Sequence, residues 1–169
     1  KGGSAELPAG SLAHVGGWEW DRVNQQLYLT GEVRRILGRS QAPETMLELL
    51  DCLRPHHRQP LQTALNRLVD VNLGFDLELQ GLRENGHAFW IRMIGEAEAG
   101  NPSATRLSGT IQDITQRKQA EDVLRIQART DPLTGLMNRD AILGELSAML
   151  GTPGQDSIAV LYVDLDRFK

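Results

Sequence analysis

The segment FDLELQGLRENGHAFWIRM, residues 75–93, alternates apolar and polar side chains with a period of two. Together with Leu73, the residues Phe75, Leu77 and Leu79 point one way, and Asp76, Glu78 and Gln80 point the other. That is the signature of a strand with one buried face. In the middle, Glu84-Asn85-Gly86-His87 carries an Asn-Gly pair. Both of its residues tolerate positive φ, which makes it the strongest short hairpin signal. The return strand is expected over 88–96. A loop with Gly100, Asn101 and Pro102 follows, and a third strand runs from about residue 106 to residue 114.

Working back from this hairpin, GGWEWD places Trp18 and Trp20 on one face of a strand, and Leu27 and Leu29 repeat the spacing after a turn at Val23-Asn24. Between the two strand groups the period changes. Val33, Ile36 and Leu37, then Met46, Leu47, Leu49, Leu50 and Leu53, suit short helices broken near Pro43. Leu61, Ala64, Leu65, Leu68 and Val69 mark the stripe of a longer amphipathic helix. Two strands, short helices and three antiparallel strands make an α+β fold: a five-stranded antiparallel sheet with helices on one face.

Working forward, TQRKQAEDVLRIQAR, residues 115–129, is rich in helix formers and has no Gly or Pro. Ala120, Val123, Leu124, Gln127 and Ala128 form a narrow stripe. It suits a helix that pairs with another helix, and equally a solvated connector. Then comes RTDPLTGLMNR, a turn-rich stretch. Asn138 is the expected N-cap of a helix whose buried stripe is Ile142, Leu143, Leu146, Met149 and Leu150. Gly151-Thr-Pro-Gly154 ends it, and 158–163 reads as a central strand buried on both faces. The expected organisation is a lead-in over 1–14, an α+β domain over 15–114, a helical linker over 115–129 and the start of an α/β domain over 130–169.

The 169 residues carry a formal net charge of -4, which argues against a nucleic-acid surface, and a single cysteine, Cys52, which excludes a disulfide framework. No stretch reaches the roughly 18 apolar residues of a membrane span. The lone cysteine fits a reducing, cytoplasmic setting, and because residue 1 is Lys rather than Met an upstream membrane anchor is left open.

GGWEWD, the 75–93 hairpin and the ending LSGTIQDITQRKQAE resemble the PAS sensor family with its C-terminal PAC motif. The resemblance makes Asp113, Ile114 and Thr115 the exit from the last strand into a signalling helix. RTDPLTGLMNR and LYVDLDRFK resemble two stretches of the GGDEF, or diguanylate cyclase, family. The resemblance implies condensation of two GTP into cyclic di-GMP with release of two pyrophosphates. It assigns Mg²⁺ binding to Asp164 and the Leu165 carbonyl, and phosphate contact to the backbone at Arg167 and Phe168. Mg²⁺ favours such hard oxygen ligands. Asp166 reads as a cap for a following helix; on spacing alone, Asp164 and Asp166 are also consistent with two solvated turn aspartates. No GGDEF or GGEEF string occurs in the sequence, so the chain is expected to hold only the first part of the catalytic domain, over 130–169, and to be inactive as it stands.

Several further expectations follow from the resemblance. A homodimer would form through the sensor domain and linker helix, since this chemistry needs two active sites face to face. Asp131 and Arg139 would form an ion pair fixing the linker to the next domain, against a plain cap and a surface charge. Trp18, Trp20, Phe75 and Trp90 are candidate lining for a ligand pocket, against an ordinary packed core. Flavin is disfavoured because Cys52 lies in LLDCLRPHH rather than an NCRFLQ-like string. Haem is disfavoured because His56-His57 read as helix-start residues. The rival function is a non-catalytic regulatory or dimerisation module with a degenerate GGDEF domain, placed before a phosphodiesterase domain.

Overall fold

The structure, a computed structural model, describes residues 14–96, 105–151 and 159–163. The lead-in before His14, the 97–104 loop and the whole of Asp164 to Lys169 lie outside the described residues. The chain forms two compact units, residues 1–119 and 120–169. The division falls inside the helix expected as a linker, rather than at either of its ends.

In the first unit, β1 (Val15–Asp21) and β2 (Gln26–Leu29) form a hairpin. Its turn is held by Asp21, whose Oδ1 accepts the N–H groups of Val23 and Asn24 at 3.0 and 3.1 Å. These bonds satisfy backbone donors that the turn would otherwise leave open. The short helices α1 (Gly31–Leu37) and α2 (Met46–Asp51) follow, then α3 (Pro55–Val71). Thr45 caps α2 by accepting Glu48 N–H at 3.2 Å, and Pro55 opens α3 at the first helical position, where its missing N–H has no cost.

β3 (Phe75–Leu82), β4 (Ala88–Glu96) and β5 (Arg106–Asp113) complete an antiparallel sheet in the order β2-β1-β5-β4-β3. The β3–β4 turn departs from the expected Asn-Gly geometry. Only Gly86 has positive φ, at 80°; Asn85 instead uses its side-chain oxygen to accept His87 N–H at 3.0 Å. A type I turn closed by a left-handed glycine satisfies the same hairpin with one positive φ.

One face of the sheet carries Trp18, Leu27, Leu29, Leu79, Phe89, Ile91, Met93, Leu107 and Ile111. They pack on Val33, Ile36, Leu37, Met46, Leu49, Leu50 and Leu53, and on Leu61, Leu65 and Leu68 of α3. Two expected members differ. Leu47 points outward on α2, and Leu73 lies in the exposed link before β3 rather than in the strand. Gly109 is needed where β5 passes β4. A Cβ there would stand 1.9 Å from the Ile94 carbonyl oxygen, the atom that accepts the Trp18 indole N–H at 3.1 Å.

α4 (Thr115–Arg129) has the expected bounds and buries none of its side chains. In the second unit, α5 (Arg139–Leu150) is capped as expected by Asn138, whose Oδ1 accepts Ala141 N–H at 2.9 Å. Two expectations fail here. Of α5's apolar residues only Ala141 is buried, and Ile142, Leu143, Met149 and Leu150 are exposed. Residues 159–163 form no strand, and Leu161 and Tyr162 are 87% and 88% exposed. An amphipathic stripe and a central strand are both requests for a partner surface. Among the described residues of this unit, none is supplied.

Candidate signalling junction

β5 ends at Asp113 and α4 begins at Thr115, so Ile114 is the one residue between sheet and helix. It is 5% exposed and works as a plug. Its N–H donates to the Trp90 carbonyl at 2.9 Å, and its own carbonyl accepts Lys118 N–H at 3.0 Å. Asp113 Oδ1 accepts Thr115 N–H at 2.8 Å, capping the start of α4. Asp113 Oδ2 receives Arg83 Nη2 at 3.3 Å, a half-buried pair. The Thr115 hydroxyl accepts Trp90 N–H at 3.0 Å and lies 3.4 Å from the Trp90 carbonyl, to which it donates. Asp113 N–H donates to the His14 carbonyl at 2.9 Å, so the chain entering β1 touches the chain leaving β5.

Arg83 reaches further. Its Nε donates to the Ile36 carbonyl at 3.3 Å, and its guanidinium lies 5.7 Å from the Phe89 ring centroid. The C-terminal end of α1, the core and Asp113 therefore share one side chain. On the outer sheet face, Glu78 binds both Lys118 and Arg117 of the first turn of α4. Lys118, and then Arg117, hold its carboxyl below the ordinary range. Asp76 pairs with Arg92 on the same face, and that bond likewise lowers the carboxyl of Asp76. An open groove lined by Asp76, Glu78, Arg92, Gln112, Asp113 and Arg117 runs past this point.

The strand-to-helix step at Asp113 and Thr115 was legible in the sequence; Arg83, Glu78 and Lys118, which bind there, were not singled out. A signal existed for Glu78, which faces outward by strand parity. Nothing local identified Arg83 as the partner of Asp113, 30 residues away.

The four pocket candidates divide. Trp18, Trp20 and Phe75 lie on the helix-covered side, with the Trp18 and Phe75 rings stacked 6.3 Å apart. Trp20 Nε1 is buried without a partner. Trp90 is a correction. Phe89, Ile91 and Met93 face the core, so period two turns Trp90 outward, beneath Lys118 at 5.2 Å. Cys52 is buried, and desolvation raises its thiol pKa, so its character is that of a small apolar residue donating weakly to the Glu48 carbonyl.

In the second unit Asp131 does not pair with Arg139, which corrects the expected ion pair. Its Oδ1 accepts Leu133 N–H, Thr134 N–H and the Thr134 hydroxyl at 3.2, 2.9 and 2.8 Å. Asp131 thus turns to donors two and three residues ahead in its own turn. They also hold the Asp131 carboxyl below the ordinary range, the Thr134 hydroxyl first. The turn is closed by the Thr130–Met137 bridge and by Asn138, which donates to Arg129 and Ala128 carbonyls. Arg139 is the first residue of α5. Asp164, Leu165, Arg167 and Phe168 lie outside the described residues.

No protein-family model matches the chain. Over 115 residues it is 31% identical to Sensor protein FixL of Bradyrhizobium diazoefficiens, which is 66% of this chain and 22% of that protein. Over 62 residues it is 42% identical to Cyclic di-GMP phosphodiesterase PdeR of Escherichia coli (strain K12), 37% of this chain and 9% of that protein. The chain thus spans less than a quarter of either relative. A solved sensory box histidine kinase/response regulator from Burkholderia thailandensis superposes with a TM-score of 0.57 at 27% identity, covering 69% of this chain and 88% of that one. The antiparallel sheet and its helices have the PAS fold, as in sensor domains of signalling proteins. No helix among the described residues is long and apolar enough to cross a membrane.

Proposed function

We propose that the PAS unit is the sensor of a cyclic di-GMP enzyme and that α4 is its output. The observation that carries this is the junction. α4 is not a loose tail: its first residue is hydrogen-bonded into β4 through Trp90, and its first turn is ion-paired to β3 through Glu78. Arg83 adds a route from α1 to the same point. A change in the helix layer that moves Arg83 alters the support of Asp113 and so the seating of α4. Transmission then works by biasing two seatings of one helix, which needs only a difference in free energy between them.

The enzyme in this reading is a diguanylate cyclase, supported by the likeness of RTDPLTGLMNR and LYVDLDRFK to that family. Asp164 and the Leu165 carbonyl would hold Mg²⁺, Arg167 and Phe168 would face GTP phosphates, and two copies would meet through the PAS unit and α4. No flavin or haem is part of the proposal. A second reading has a specific support, the 42% identity with a cyclic di-GMP phosphodiesterase. In it, the segment after α4 is a non-catalytic module that passes the signal onward.

The full-length protein should be assayed with GTP and Mg²⁺, and separately with cyclic di-GMP. Synthesis supports the first reading and hydrolysis alone supports the second. Neither activity, or activity unaltered by Thr115→Val, overturns the output role of the junction.

A further inference from the structure

The Trp90 indole, outside the core, is held from two sides. The His57 ring, in the first turn of α3, lies 5.5 Å away at 77°, edge to face. Lys118 Nζ, in the first turn of α4, lies 5.2 Å from the indole centroid. Through this one ring, two helices that share no sequence neighbourhood meet. The Trp90 backbone meanwhile accepts Ile114 N–H and binds the Thr115 hydroxyl, so a displaced indole disturbs the residues that start α4.

The groups that act electrostatically on His57 are basic. Arg54 precedes α3, His56 has its ring 4.3 Å away, and Lys118 lies across the indole. Glu78, on the outer sheet face, is bound to Lys118 and Arg117. Arg58 on the next position of α3 is paired with Asp51. A proton on His57 would place a cation in a partly desolvated gap beside Arg54 and across the indole from Lys118.

We propose that His57, Trp90 and Lys118 form a proton-responsive latch, in which the neutral His57 ring seats Trp90 under α4 and protonation of His57 releases it. Burial first, then His56 and Arg54, hold His57 below the ordinary histidine value. The released ring therefore takes up a proton more readily than the seated one. Seating is fully favoured above about pH 6.5, the ordinary histidine value, and is lost as pH falls from there through the lowered one. The latch assigns α4 a regulating input, acidity, and to that extent rests on α4 being the output helix; its test reads the helix itself, not an activity.

The test is amide hydrogen exchange on the 169-residue chain at about pH 7.5 and about pH 5.5, on either side of the ordinary histidine value, corrected for intrinsic rates. Protection of the Ile114 and Lys118 amides is expected to fall several-fold at the lower pH, while the Met93 amide in β4 holds. His57→Gln should abolish the response and His56→Gln should keep it. Equal protection at both pH values, a parallel loss at Met93, or a response surviving in His57→Gln overturns the latch. In the unaltered protein, ¹⁵N NMR of the His57 ring should titrate in step with the Lys118 exchange. A ring that titrates apart from it overturns the proposal whether or not the variants fold.

Discussion

Asp113 and Asp131 are two aspartates with one local device. Each stands before a threonine, Thr115 or Thr134, and each carboxylate accepts backbone N–H from the residues just after it. Their surroundings are opposite. Asp113 is followed by Ile114, 5% exposed, and its second oxygen holds Arg83. Asp131 is followed two residues on by Leu133, 93% exposed, and its bonds stay within its own turn. The local hydrogen bonds shape both turns. Among the described residues, only the first turn is coupled to a core.

The largest contrast is expected between two truncations. Ile114→Ala should cost about 2–5 kcal/mol, because it leaves a cavity under the start of α4. Leu133→Ala should stay within about 0.5 kcal/mol, because there is no packing to lose. Urea unfolding checks both, and equal costs would erase the distinction between the turns.

The threonines come next. Thr115→Val keeps the shape and leaves Trp90 N–H without its acceptor, for an expected loss of about 1–3 kcal/mol. Exchange at the Trp90 amide should rise with it. Thr134→Val removes two exposed bonds, the one donated to Asp131 Oδ1 and the one accepted from Leu136 N–H, and should loosen only the 131–138 turn, seen as faster exchange at Thr134 with an unchanged urea midpoint.

Helix caps sharpen the same point. Thr45 and Asn138 cap α2 and α5 with the same kind of bond. Removal of such a cap costs about 0.5–2 kcal/mol. Thr45→Ala should lower the urea midpoint of the sheet unit, since α2 carries core residues. Asn138→Ala should fray α5 locally, visible as lost circular dichroism without a shift of that midpoint.

The smallest effect is acid dependence of the exposed turn. Asp131 titrates below its ordinary value when folded, so its contribution is present above the ordinary carboxylate value and fades as pH falls through the lowered one. A carboxyl ¹³C titration of Asp131, followed with exchange at Leu133 and Thr134, should show both changing together, under acid conditions only. Loss of the turn near neutral pH would contradict the bonding described.

The strand pattern of residues 75–93, the places of the hairpins though not the geometry of the β3–β4 turn, the bounds of α4 and the Asn138 cap were legible because each depends on neighbours within a few residues. Period two in a strand and a side-chain oxygen before a helix act over one turn of chain, and the chain carries them wherever it goes. The same parity, applied to Phe89 and Ile91, would have turned Trp90 outward. What the sequence could not yield was partnership across the fold. Arg83 met Asp113, Glu78 met Lys118, and His57 met Trp90 only once the sheet order β2-β1-β5-β4-β3 had brought β3, β4 and the exit of β5 together. The apolar stripe of α5 shows the converse. Its sequence specifies a face for burial, and whether that face is covered depends on a second surface, which periodicity within a single helix cannot provide.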